Sequence, residues 1–379
     1  MDEPSAAGSA QIEQDFHQHL IAATPRAYVT PLLIAANAAA FAVMVAMGIN
    51  FLGGRADEYL RFGANFAPLT TGGEWWRLFT CTFVHFGIVH LAFNLWALWD
   101  SGRLTERLFG NTWFAALYVF AGLCGSSASM LWNQSVISGG ASGAVFGVFG
   151  ALLAYMTVER GAIPPQTLNH LRVSTSTFVV YSLFYGFVQH GIDNAAHLGG
   201  LAGGFVMGLV LARPLAEPQR TSGRARRLVL ALLLTAITLP TAALLTPDTS
   251  RVYREARELQ KEIDAFSAEE KRLQAAFMAV AEQSRANNRD ASAALTQLQT
   301  TLLPAWDAAV ARFARVEIDA KAPARKDYEL LLRYATARRD GMRAVADYLA
   351  TNNPEFERRI TEQREIAAAA LKQYQARPK

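Results

Sequence analysis

The sequence lacks most of the residues on which disulfide-rich, metal-dependent and nucleotide-dependent proteins rely. It has two cysteines, Cys81 and Cys124, which form no disulfide framework and no metal-ligand spacing. It contains no His-Glu-x-x-His stretch and no glycine-rich loop ending in Lys-Ser or Lys-Thr, so zinc-protease and P-loop chemistry are not predicted. We therefore expect no metal and no cofactor.

Charge is also scarce and unevenly distributed. Only 18% of the 379 residues are charged, against 51% hydrophobic, and the net charge of +4 gathers into no block that predicts a nucleic-acid partner. Residues from about 30 to 246 form long apolar runs, whereas 251–379 are rich in Glu, Lys, Arg, Gln and Ala. The two parts therefore differ in their predicted environment.

The apolar part predicts a polytopic membrane protein, because a spanning helix needs about 20 mostly apolar residues. Seven segments meet this requirement: 30–52, 84–101, 111–131, 142–158, 174–190, 193–212 and 228–246. The first follows an acidic leader without a basic start, so it is interpreted as a retained helix and not a signal peptide. The expected fold is all-α, a helical bundle of six spans plus a seventh C-terminal span, with an α-helical extramembrane region after it.

The predicted division of the chain follows from these segments. It consists of a polar leader (1–29), a six-span core (30–212), a basic linker (213–227), the seventh span (228–246) and a helical domain (251–379). Lys and Arg favour cytoplasmic loops. With a cytoplasmic N-terminus, that side receives Arg26, Arg103, Arg107, Arg160, Arg172, Arg213, Arg220, Arg224, Arg226 and Arg227. The loops between spans on the other side contain only Arg55, Arg61 and Arg77. The C-terminal domain is then expected outside.

The region 251–379 shows apolar residues at helical spacing: Val252, Leu259, Ile263, Phe266, Leu273, Phe277 and Val280. Breaks near Asn287–Asp290, Ala322–Pro323 and Asn352–Pro354 predict about four helices. No catalytic constellation occurs here, so a helical bundle or coiled coil that contacts an extramembrane protein partner is the preferred interpretation.

Polar residues inside spans are costly and indicate function. Ser142 lies in a Gly-Gly-Ala-Ser-Gly stretch at the start of the fourth span, where its own amide is a free donor of the helix N-terminus. Such a serine can attack a carbonyl while its amide stabilises the oxyanion. The same stretch has two structural interpretations: Ser142 as the N-cap of the helix, or the small residues as a surface for helix packing.

Two further spans place polar residues at a similar depth. His197 lies near the start of the sixth span, where glycine rows that include Gly200 and Gly204 permit close contact with Gly143 and Gly147 of the fourth span. His197 is therefore a candidate base or a structural histidine. His90 and Asn94 share one face of the second span and are candidate oxyanion donors or an interhelical clamp. His85 would lie about 140° from His90 on a continuous helix and is not grouped with them.

This set of motifs resembles the rhomboid intramembrane proteases. The resemblance rests on Trp76-Arg77 followed by His85, His90 and Asn94, on Gly140-Ala141-Ser142-Gly143, and on Ala196-His197 before the glycine rows. It covers about 30–212, and the last span is similar to the six-plus-one arrangement of some members. It does not cover 251–379.

The resemblance implies roles for these residues. Ser142 would be the nucleophile and His197 its base, a dyad without an acidic member, while His90, Asn94 and the Ser142 amide would bind the oxyanion. His85, Arg77 and Gly140 would support the site, and Glu106 would be structural. Phe146 stands where members often have tyrosine, so a ring packs under His197 without a hydroxyl.

The function expected is an intramembrane serine endopeptidase that cleaves transmembrane protein substrates in the lipid bilayer of a bacterial inner membrane. A non-proteolytic client-binding protein, similar to inactive members of the family, is the main alternative. A transporter or channel is less favoured, because the spans contain almost no charge near their centres.

Overall fold

The structure is a computed structural model that describes residues 6–189, 191–215, 220, 222–286 and 291–377. The chain divides into two compact units, Met1–Ser250 and Arg251–Lys379. The units correspond to the apolar and the charged parts of the sequence, and each has its own buried core.

The first unit is built almost entirely of helices. These are α1 (Ala6–Ala23), α2 (Val29–Ala46), α3 (Ala67–Thr71), α4 (Arg77–Thr80), α5 (Ile88–Phe109), α6 (Asn111–Trp132), α7 (Ser142–Val158), α8 (Pro165–Val188), α9 (Asn194–Leu211) and α10 (Arg224–Leu245). Short 3₁₀ turns occupy Ala56–Phe62, Cys81–Phe83 and Arg160–Ala162. Two short strands, β1 (Asn65–Phe66) and β2 (Ile137–Ser138), pair antiparallel with Asn65 opposite Ser138.

Each of the seven predicted spans corresponds to a helix, which confirms the expected all-α membrane bundle. Among the described residues, α2, α6, α9 and α10 are long and apolar enough to cross a membrane. The segment Arg77–Phe83 joins α5 across a 94° bend as a further candidate, and α7 is apolar but shorter. Helix α8 starts earlier than predicted, at Pro165, and the predicted end of its span at 190 lies outside the described residues.

The start of α5 corrects the predicted second span, which was expected from residue 84. The helix begins at Ile88, because Gly87 has a φ of +103° that a helix cannot contain. A Cβ on Gly87 would overlap the carbonyl of Leu52, and the Ile88 amide donates to the Phe51 carbonyl at 3.0 Å. The end of the loop after α2 therefore occupies the space that an additional N-terminal turn of α5 would need.

Helices α7 and α9 contact each other through their backbones. A Cβ on Gly200 would overlap the carbonyl of Gly143, and one on Gly204 would overlap the carbonyl of Gly147. Small residues allow this approach, and close van der Waals packing drives helix association where lipid removes the hydrophobic drive. The predicted contact between the fourth and sixth spans is therefore confirmed.

Glu106 of α5 has the structural role that was expected. Its carboxylate is fully buried and accepts hydrogen bonds from the amides of Val29 and Thr30, at 2.7 and 2.8 Å, and from the Thr30 hydroxyl at 2.7 Å. These amides begin α2, where a negative charge is favoured by the helix dipole. Glu106 thus joins the end of α5 to the start of α2.

Replacing Glu106 by Ala is expected to destabilise the first unit strongly. The change leaves three buried donors without an acceptor, each of which costs about 1–3 kcal/mol. We expect a clear fall in the thermal midpoint of the detergent-solubilised protein, followed by circular dichroism at 222 nm. Glu58→Ala is the control, since Glu58 lies exposed in a surface turn. Equal midpoints for the two variants would contradict the role assigned to Glu106.

The second unit contains the remaining helices. They are α11 (Ser250–Ala286, beginning at the last residue of the first unit), α12 (Ala291–Gln297), a π-helical turn (Leu298–Leu302), α13 (Leu303–Phe313), α14 (Arg325–Thr351) and α15 (Pro354–Gln375). Leu259, Phe266, Leu273 and Val280 are buried as their spacing predicts, whereas Val252 is 44% exposed. The breaks after Phe313 and Thr351 confirm two predicted boundaries. The third, Asn287–Asp290, lies outside the described residues.

Candidate active site

Ser142 is the first residue of α7. Its amide and those of Gly143 and Ala144 have no acceptor in a preceding turn, since the first helical bond runs from the Val145 amide to the Ala141 carbonyl at 2.9 Å. Three N–H groups without an intrahelical acceptor therefore lie at the positive end of α7, where Ser142 is the first residue.

The length of α7 sets the depth of this serine. The helix has 17 residues and spans about 26 Å, whereas the hydrocarbon core of a bilayer is about 30 Å thick. Most residues of α7 are buried within the protein. Ser142 is thus expected slightly below the membrane surface and enclosed by other helices.

The loop before Ser142 is fixed by the segment that leads into α5. The Gly140 amide donates to the Cys81 carbonyl at 2.9 Å, and the Ala141 amide donates to His85 Nε2 at 3.3 Å. Gly140 has a φ of +128°, which is accessible to glycine and strained for other residues. The two preceding amides are therefore occupied, and the free donors begin at Ser142.

His197 lies in the first turn of α9 and is buried. Its ring stacks on Phe146, with centroids 4.2 Å apart and planes 7° apart. Phe146 follows Ser142 by four residues, so both lie on one face of α7. The stacking places His197 against the face of α7 that also carries Ser142. No direct hydrogen bond joins the two side chains among the described contacts, and catalytic pairs often tighten only when substrate is bound.

His90 faces the same space from α5. Its Nδ1 accepts from the Phe86 amide at 3.3 Å, so in the neutral ring the proton belongs on Nε2. A Cβ placed on Gly140 would lie 2.8 Å from His90 Nε2 and 3.7 Å from Ser142 Oγ. The Nε2–H group therefore points at the small space that the glycine leaves beside the serine.

Asn94 is buried one turn further along α5. Its amide nitrogen donates one hydrogen to the carbonyl of His90 at 2.9 Å, within its own helix. A second N–H remains, since the amide group has two. Asn94 thus holds the turn that presents His90 and keeps one donor for another acceptor.

The supporting role that the resemblance implied for His85 stays a prediction, but the structure does place this residue beside His90, contrary to the prediction from helix geometry. That prediction assumed a continuous helix, whereas 84–87 form a loop. The ring centroids of His85 and His90 are 5.2 Å apart, and His85 Nε2 accepts a hydrogen bond from the Ala141 amide. Because Nε2 accepts, the Nδ1 of neutral His85 carries the proton and donates to the Phe83 carbonyl at 3.4 Å.

Among the described residues, Arg77 makes no hydrogen bond or ion pair with this cluster. Its guanidinium donates to the carbonyls of Leu60 and Ala64, at 2.7 and 2.9 Å, and pairs with Glu74. It is buried, and its guanidinium lies 4.6 Å from the centre of the Trp76 ring. Arg77 therefore holds the loop after α2 in a fixed conformation.

Asp193 is a site residue that the sequence reasoning missed. It caps α9, with Oδ1 accepting the Ala196 amide at 3.0 Å, and it precedes His197 by one turn. Its Oδ2 and the Nδ1 of His197 are both buried without a hydrogen-bond partner among the described residues. An aspartate directly before a helix start is a capping signal that could have found it.

These residues lie in a part of the sequence that matches a known protein family. The Rhomboid domain family matches residues 72–214. The chain is 38% identical over 181 residues to the rhomboid protease GluP of Bacillus subtilis, covering 48% of this chain and 34% of that protein. It is 34% identical over 214 residues to RHOMBOID-like protein 5 of Arabidopsis thaliana, covering 49% and 68%. It is 31% identical over 170 residues to the rhomboid protease AarA of Providencia stuartii, covering 39% and 60%. The chain thus spans about a third to two thirds of the length of these relatives.

Proposed function

Because this chain belongs to the rhomboid family, we propose that it is an intramembrane serine endopeptidase with Ser142 as nucleophile and His197 as base. Family membership and the apolar helices make it an integral membrane protein. Relatives named as rhomboid proteases support a peptidase. The observation that carries the assignment is the stacking of His197 on Phe146, one turn after Ser142.

The proposed reaction is hydrolysis of a peptide bond through an acyl-enzyme. Ser142 Oγ attacks the carbonyl carbon, and His197 takes its proton and returns it to the leaving amine. The enclosed position of His197 Nδ1 favours Nε2 as the nitrogen that exchanges this proton. The Ser142 amide, His90 Nε2–H and the second N–H of Asn94 are proposed to bind the oxyanion. Water then releases the acyl group.

The proposed substrates are transmembrane proteins. Their helices must unwind locally before a backbone carbonyl can reach Ser142, since all backbone groups of a spanning helix are bonded internally. We further propose a bacterial inner membrane, a cytoplasmic N-terminus and an outer C-terminal domain that contacts a protein partner. The arginine distribution of the loops supports this orientation.

Labelling with a fluorophosphonate probe tests the assignment. The purified wild type is expected to be labelled, and both Ser142→Ala and His197→Ala are expected to lose labelling. Ser174→Ala is the matched control, because Ser174 is an exposed serine of α8. A folded wild type that takes no label, or a Ser142→Ala variant that keeps it, would favour the client-binding alternative.

Asp193 is expected to support His197 during the reaction. Asp193→Asn keeps an N-cap but removes the charge that favours a protonated imidazole one turn away. We expect kcat to fall about tenfold with little change in KM, because the imidazolium formed during the reaction loses a nearby negative charge. Asp193→Ala should also lower the thermal midpoint, since a lost cap costs about 1 kcal/mol. Unchanged kcat in Asp193→Asn would contradict an electrostatic role.

A further inference from the structure

A polar cavity lies at the C-terminal ends of α5 and α9, the ends opposite to the starts that carry His90 and His197. Its volume is about 650 Å³, and it is bounded by the end of α5, the start of α6, the end of α9 and the start of α10. Five arginines line it: Arg26, Arg213, Arg220, Arg224 and Arg227. No Asp or Glu is among the described residues that line it. The proposed proteolytic reaction uses none of these groups.

Arg227 is the most enclosed of the five, at 3% exposure. Its Nη2 donates to the Arg220 carbonyl at 2.7 Å, and its guanidinium lies 5.5 Å from the centre of the Trp113 ring. Its Nε is buried without a partner among the described residues. A buried, unpartnered N–H of a charged group is costly, so an acceptor in the cavity would stabilise this arrangement.

The start of α6 faces the same cavity. Gly110 precedes the helix, and the first helical bond runs from the Phe114 amide to the Gly110 carbonyl at 2.9 Å. The amides of Asn111, Thr112 and Trp113 are therefore free donors at the positive end of the helix dipole. A Cβ on Gly110 would lie 3.3 Å from Arg220 Nη2, so the helix start and the arginine cluster are adjacent.

Among the described residues, no carboxylate forms an ion pair with Arg213, Arg224 or Arg227. In the described part of the first unit, the ion pairs join Arg55 to Asp57 and Arg77 to Glu74, and both lie outside this cavity. The carboxylate of Glu106 already accepts hydrogen bonds from the start of α2. Glu159 is near enough to interact with Arg213. The described residues that line the cavity still carry an excess of positive charge. Like charges at this density repel each other and favour a bound anion.

We propose that this cavity binds the phosphate headgroup of an anionic phospholipid. The cavity lies where the apolar part of α9 ends at Leu211 and where that of α10 begins at Leu228, which is the headgroup level of a bilayer. Leu108, Phe109 and Trp113 line its apolar side and would contact the upper acyl chains. Basic cavities between spanning helices bind acidic headgroups in this way. Arginine forks and a helix N-terminus suit phosphate oxygens.

Native mass spectrometry of the full-length protein in detergent tests this site. Titration with cardiolipin is expected to give saturable binding that phosphatidylcholine does not give. Arg213→Gln and Arg227→Gln are each expected to weaken the affinity about tenfold, the equivalent of one charge-assisted hydrogen bond. Arg226→Gln is the matched control, because it removes the same charge from an exposed neighbour that does not line the cavity.

Each alternative outcome has a distinct meaning. Equal weakening by Arg226→Gln would overturn the site in favour of general attraction between lipid and a basic surface. Displacement of cardiolipin by inorganic phosphate at equal concentration would show a soluble-anion site and would overturn the lipid assignment. Arg213 is partly exposed, so its variant tests the proposal even if Arg227→Gln does not fold.

Discussion

Ser142→Ala is expected to abolish cleavage of a transmembrane substrate in proteoliposomes. A nucleophile that acts together with its base accounts for most of the rate, and its removal in serine proteases lowers kcat by about 10⁶-fold. We expect kcat to fall by at least about 10⁴-fold. The fold should be retained, since Ser142 lies at a helix start where the smaller side chain creates no overlap.

A variant of one oxyanion donor is expected to lose less activity than the variant of the nucleophile. His90→Ala should lower kcat by about 10²–10³-fold, the usual effect of losing one donor, and should leave probe labelling detectable. Cleavage by Ser142→Ala at more than a trace of the wild-type rate would assign the reaction to another residue. A His90→Ala variant as active as wild type would remove His90 from the proposed oxyanion site.

Gly204→Val is expected to prevent the correct assembly of the first unit. Any Cβ at this position overlaps the carbonyl of Gly147, and neither backbone can move without displacing its helix. Overpacking usually costs about 1–3 kcal/mol, and a backbone overlap belongs at or above the upper end. We expect aggregation or a strongly lowered thermal midpoint in detergent, together with a loss of probe labelling.

Gly161→Ala provides the matched control for this change. Gly161 lies in the short turn after α7 and would meet no atom within 4 Å of a new Cβ. Its thermal midpoint and labelling should equal those of wild type. A Gly204→Val protein that unfolds at the wild-type temperature would show that α7 and α9 do not pack in this way.

The sequence was sufficient for the parts of the fold that repeat a simple pattern. Long apolar runs located the helices that correspond to the seven predicted spans, and the spacing of Gly200 and Gly204 predicted the contact with α7. The position of Ser142 at a helix start also followed from the glycines before it. These features depend on composition and periodicity, which can be read directly from the amino-acid sequence.

Features that depend on a single backbone angle were not predictable in the same way. The positive φ of Gly87 shortens α5 and turns His85 towards His90, and no periodic pattern signals it. The cavity lined by Arg26, Arg213 and Arg227 gathers residues far apart in sequence. Charge counting placed those arginines on one side of the membrane but could not show that they share a cavity.

The contact between α7 and α9 has a consequence for how the protein can change over time. Because glycine backbones set the distance between the two helices, the separation of the Ser142 and His197 backbones depends little on the surrounding side chains. Substitutions at exposed residues of α8 and α10 are therefore not expected to change this separation. Sequence drift on these outer faces and constancy of the spacing between α7 and α9 thus depend on different residues of the same chain.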